Sequence, residues 1–70
     1  MQIMDITKMI KKILIDENVT VSELANRLNT TQPNLSAKFR RNDFRISEIE
    51  EITAALGYTL NLEIKKDPEN

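Results

Sequence analysis

Apolar residues recur at helical spacing through most of this chain and at strand spacing near its end. Ile6, Met9, Ile10, Ile13 and Leu14 fall at i, i+3, i+4, i+7 and i+8, one face of an amphipathic helix. Asp5 stands where its N-cap is needed and Asp16-Glu17-Asn18 where it must stop, so a first helix is expected at residues 5–16. Thr20-Val21-Ser22-Glu23 then places Thr at an N-cap and Glu at the third helical position, the reciprocal pair that satisfies two orphaned backbone N–H groups. The second helix, 21–28, carries Val21, Leu24, Ala25 and Leu28 on one face, and Asn29 tolerates the left-handed conformation its exit requires.

A third helix is expected at 32–41. Thr31 caps it, and Pro33 is harmless in a first turn whose N–H groups have no internal partner. Leu35 and Phe39 are its only large apolar residues, one turn apart, so the core holds one side of it. Asn42-Asp43 forms the following turn, and Ser47-Glu48-Ile49-Glu50 reads as a second capping box opening a fourth helix at 47–56. Ile49, Ile52, Ala55 and Leu56 face inward on it, and Gly57 stands at its exit. The period then changes to two: Tyr58, Leu60, Leu62 and Ile64 alternate with Thr59, Asn61, Glu63 and Lys65, the pattern of a half-buried strand at 58–64, followed by a polar tail at 65–70. A strand needs a partner. Pairing with its own copy across a two-fold axis removes the exposed edge and makes Tyr58, Leu60, Leu62 and Ile64 a homodimer interface; the other candidate partner is the short segment 1–4.

Seventy residues allow one domain, 1–70, with a small core. Without Cys or His the chain has neither disulfides nor the usual ligands for a structural metal, so helix packing or association with a second copy is left to stabilise it. The absence of a long apolar run or signal-peptide pattern leads to the expectation of a soluble, cytoplasmic protein with no membrane partner. With no His, and no Ser, Asp or Glu in a nucleophile or paired-carboxylate setting, neither an enzyme nor a cofactor is expected.

The formal net charge is −1, but it is unevenly spread. Over 27–45 Arg27, Lys38, Arg40, Arg41 and Arg45 oppose Asp43 alone, giving +4, whereas 46–70 carries −4. Such asymmetry suits an anionic partner better than the total implies. On the first helix Lys8, Lys11 and Lys12 lie off the apolar stripe and read as a solvated face. On the third, a rotation of about 100° per residue with Leu35 and Phe39 inward turns Pro33, Ala37, Arg40 and Arg41 outward, with Asn34 beside them. That face is small at its start and basic at its end, and Arg40, Arg41 and Arg45, flanked by Lys38, read as phosphate contacts.

The second and third helices are separated by Asn29, Thr30 and Thr31, the spacing of a helix-turn-helix unit. The run VSELANRLNTTQPNLSAKF resembles the helix-turn-helix of the lambdoid phage repressor and Cro superfamily of transcriptional regulators, and the likeness extends over roughly residues 5–57, ending in ALG. Asn29 departs from the Gly usual at the turn, and Lys38 stands where an apolar residue is usual, with Phe39 filling the core in its place. The resemblance implies a mainly α, four-helix lambda-repressor-like domain that binds double-stranded operator DNA, with the third helix in the major groove. By position it assigns Thr31, Gln32, Pro33 and Ala37 to base edges and Asn34 to phosphate or bases. Gln32 or Asn34 can pair with adenine, while Pro33 and Ala37 can only pack on thymine methyl groups, which favours an A·T-containing half-site.

The expected function is a homodimeric, sequence-specific DNA-binding regulator, a repressor. The competing class is a protein-interaction or assembly module, an antitoxin component among them, that keeps the fold without operator binding and takes a toxin or another protein as partner. The acidic isoelectric point near 5.3 speaks mildly for it.

Overall fold

The computed structural model describes residues 5–68 and is mainly helical, with α1 at Ile6–Glu17, α2 at Val21–Arg27, α3 at Gln32–Arg41 and α4 at Ile46–Ala55. Three helix starts follow the side-chain caps that the sequence offers. Asp5 accepts from the Lys8 N–H at 2.9 Å, Thr20 from Glu23 at 3.0 Å and Thr31 from Asn34 at 3.3 Å, each contribution being typically ~1 kcal/mol. The exits share one device, a residue in the left-handed region: Asn18, Asn29, Asn42 and Gly57, with φ of 56°, 56°, 51° and 81°. After Asn18, Asn29 and Gly57 the chain closes back onto the helix, through Val19 N–H to Leu14 C=O, Thr30 to Ala25 and Tyr58 to Thr53 at 2.9, 3.0 and 2.8 Å.

The core sits where all four helices converge. Ile10 and Leu14 from α1, Leu24 and Ala25 from α2, Leu35 and Phe39 from α3, and Ile52 with Leu56 at the end of α4 are buried together, and Leu24 at the centre has no exposed surface. Ala25 is small beside it, which lets α2 pack closely on both α3 and α4. Thr53, the buried polar residue among them, satisfies its hydroxyl on the Glu50 carbonyl at 3.1 Å.

Three expectations change. Met9 does not belong to the packed stripe of α1: it is 55% exposed, while Ile10 and Leu14 are buried and Thr7, about 200° away round the helix, is hydrogen-bonded to the end of α3. The fourth helix starts before the expected Ser47 cap, with Arg45 in the N-cap position and Glu48 as the side chain that reaches back, accepting the Arg45 N–H at 2.8 Å. From that position the Glu48 carboxylate also meets Lys38 on α3, a tertiary contact the local Ser47–Glu50 pattern cannot offer. Finally, no strand forms among the described residues, so the strand expected at 58–64 is absent as such. Leu60 is half-buried, whereas Leu62 and Ile64 are 64% and 100% exposed. A strand is defined by its ladder, and a single copy supplies none to this segment. The alternative pairing with residues 1–4 lies outside the described residues. No described helix is long and apolar enough to cross a membrane.

Candidate nucleic-acid interface

Leu35 and Phe39 pull one side of α3 into the core, and the opposite side is open. Thr31, Gln32, Pro33, Asn34, Arg40 and Arg41 are all exposed, while Ala37 is half-buried. The wheel therefore holds for the ends of the helix, and its middle is more enclosed than expected. Asn34 lies on the α4 flank, lining a small cleft with Thr30, Lys38, Glu48 and Glu51.

The basic end of this helix is anchored at several points. From α1, the Thr7 hydroxyl donates to the Phe39 carbonyl at 2.6 Å and the Thr7 N–H donates to the Asn42 side-chain oxygen at 3.0 Å. From the following turn, the Phe44 ring packs on Phe39 with centroids 5.9 Å apart and the planes tilted by 49°. From α4, Glu48 binds both the Lys38 ammonium and the Arg45 backbone N–H. These contacts fix the last turn of α3 and residues 42–45 against the rest of the molecule, and with them the backbone that carries Arg40, Arg41 and Arg45.

The cations of the cluster are not equivalent. Arg27 is exposed but tied to its own chain: its guanidinium donates to the Ala55 carbonyl at 3.0 Å, at the C-terminal end of α4 where positive charge is favoured, and lies 3.9 Å from Glu23. Lys38 is engaged by Glu48. Hydrogen bonding from Lys38, followed by that from the Arg45 amide, holds the Glu48 carboxyl below its ordinary range. Among the described residues, Arg40, Arg41 and Arg45 are exposed and belong to none of the ion pairs, so their charge is available to a ligand.

The expected dimer residues are distributed differently. Tyr58 is tied to its own chain: its hydroxyl donates to Glu17 at 3.0 Å, a bond that raises the pKa of the phenol. Leu60 is partly covered, and Leu62 and Ile64 are bare. Sequence reasoning missed Thr7 and Glu48 as the residues that position the basic turn. Both act across more than a helix length of chain or through a shifted helix start, and no local pattern marks either. Among the described residues no group of three or more His, Cys, Asp or Glu could hold a metal ion. No family model, curated protein or solved structure matches the chain.

Proposed function

We propose that this chain is a sequence-specific double-stranded DNA-binding regulator, a repressor acting as a homodimer, in which α2 and α3 form a helix-turn-helix of the lambda-repressor-like type. The observation that carries the reading is the construction of α3: one side buried, an outer face open at its start, and at its end a rigidly mounted turn bearing Arg40, Arg41 and Arg45. A helix of this kind enters the major groove with its first turn against base edges, while the cations beyond it meet phosphates. Thr31, Gln32, Pro33 and Asn34 are the base-reading residues, with Ala37 nearer the edge of that set because it is half-buried. Arg40, Arg41 and Arg45 are the principal phosphate contacts, and Lys38, shared with Glu48, is a peripheral one.

The second copy joins through the apolar segment around Leu60, Leu62 and Ile64, which forms a strand only when the partner supplies the other half of its ladder. The two recognition helices then address half-sites about one helical turn apart. Selection of binding sites from a randomised duplex pool tests this reading. It expects an enriched, two-fold symmetric, A·T-containing site, and a pool that stays random after several rounds contradicts it. Two bare apolar residues, Leu62 and Ile64, favour the second reading, an assembly or antitoxin module that binds another protein through this segment.

A further inference from the structure

The lysines of α1 read from sequence as a solvated face, yet one of them is held in place. The Lys11 ammonium stands 5.8 Å from the centroid of the Phe39 ring, within the range in which a ring face attracts a cation. On the wheel, Lys11 lies about 100° from the buried Ile10, on the same flank as Thr7, whose hydrogen bonds run to the last turn of α3. Lys12 lies about 100° further round and is turned away from α3. Lys11 also lines two shallow grooves, one shared with Thr20 and Val21 at the start of α2 and one with Thr7, Lys8 and Lys12.

Lys11 is therefore bracketed by the start of α2 and the end of α3. In helix-turn-helix docking the helix before the recognition helix crosses the sugar-phosphate backbone, and in the docking described above the end of α3 meets phosphates. Arg40 follows Phe39 directly and lies on the flank of α3 away from Lys38, which is tied to α4. The Lys11 ammonium thus lies against the residue that immediately precedes Arg40 and Arg41 in α3. The Phe39 ring restricts where the ammonium can go without neutralising it, as a carboxylate would, so less side-chain freedom is lost on binding. We propose that Lys11 is a further DNA contact, donating from its ammonium to a phosphate oxygen of the strand that passes between the start of α2 and the end of α3. The inference rests on the DNA-binding reading.

The test is a salt titration of affinity for a random-sequence DNA duplex, comparing the wild-type chain with Lys11→Gln, Lys11→Arg and Lys12→Gln. Each lost phosphate contact makes the dependence of log K on log salt shallower by about 0.9. Lys11→Gln should lose that amount per protomer bound, so its affinity falls about 3.5-fold less per protomer than the wild type's between about 50 and about 200 mM salt. Lys11→Arg should restore the wild-type slope and Lys12→Gln should leave it unchanged. Equal slopes for Lys11→Gln and wild type, with wild type binding normally, overturn the contact while leaving the regulator reading intact. A Lys12→Gln loss as large as that of Lys11→Gln overturns it as well, because net charge alone then accounts for the effect. A wild-type chain that binds no duplex at either salt removes the inference together with its premise.

Discussion

Asn42 concentrates several of the forces that hold the basic turn, and substituting it separates them. Its backbone is left-handed, with φ of 51°, and its side-chain oxygen accepts the Thr7 N–H at 3.0 Å, linking the start of α1 to the end of α3. Asn42→Ala removes the acceptor, worth about 1 kcal/mol net, and leaves in the left-handed region a residue without the short polar side chain by which Asn tolerates it, a conformation costing an ordinary L-residue up to roughly 1–2 kcal/mol. The sum is a loss of about 2 kcal/mol or more, equivalent in a domain of this size to a fall in Tm of about 10 °C. Asn42→Gly relieves the backbone and loses the acceptor, so it should cost about 1 kcal/mol. Asn42→Asp keeps an acceptor and tolerates the left-handed region, so it should be the mildest of the three. Urea unfolding at neutral pH, followed by far-ultraviolet circular dichroism, measures all three. An alanine variant as stable as the glycine variant would refute the backbone argument, and an aspartate variant as unstable as alanine would refute the hydrogen-bond argument.

Two further outcomes are expected. Because hydrogen bonding to Lys38 and the Arg45 amide lowers the pKa of the Glu48 carboxyl in the folded state, its stabilising effect is present above the unfolded carboxylate pKa and is lost as pH falls through the depressed folded value. Thermal unfolding of wild type and Glu48→Gln should therefore diverge at neutral pH and converge in acid, and a gap that stays constant with pH contradicts this. Removing residues 59–70 keeps the closing bond from Tyr58 N–H to the Thr53 carbonyl and takes away Leu60, Leu62 and Ile64. Sedimentation should then show a folded monomer that binds DNA more weakly, and a dimer of unchanged strength would eliminate the segment as the interface.

The helices were legible because their signals are local. Thr20, Thr31 with Pro33, and Asn or Gly at each exit act within one or two turns of the chain, and the structure uses them as N-caps and left-handed exits; of the reciprocal pair expected at Thr20 and Glu23 it shows the Thr20 half, with the Glu23 carboxylate beside Arg27. The start of α4 differs from the local pattern because two carboxylates, Glu48 and Glu50, stand at capping distance from a helix start, and Glu48, which accepts the Arg45 N–H, also meets Lys38 on another helix. Met9 stands at the edge of the apolar stripe of α1, and which edge is covered depends on the neighbouring helices: the Thr7 side meets α3, and the Met9 side is exposed. The period-two segment after Gly57 carries a strand pattern without a partner in its own chain, and a pattern cannot supply a ladder. In the candidate site, the exposure of Arg40 and Arg41 follows from the two-residue apolar stripe of α3. The engagement of Lys38 and the placement of Lys11 over Phe39 depended on tertiary neighbours.

The central claim is that the mounted end of α3 meets DNA phosphates, and the salt dependence of duplex binding tests it most directly. Arg40→Gln/Arg41→Gln should fold as the wild type does, since both side chains are exposed. It should bind with a log K–log salt slope shallower by about 1.8 per protomer, so that between about 50 and about 200 mM salt its affinity falls about 12-fold less per protomer. A double variant that binds duplex with the affinity and slope of the wild-type chain contradicts the account.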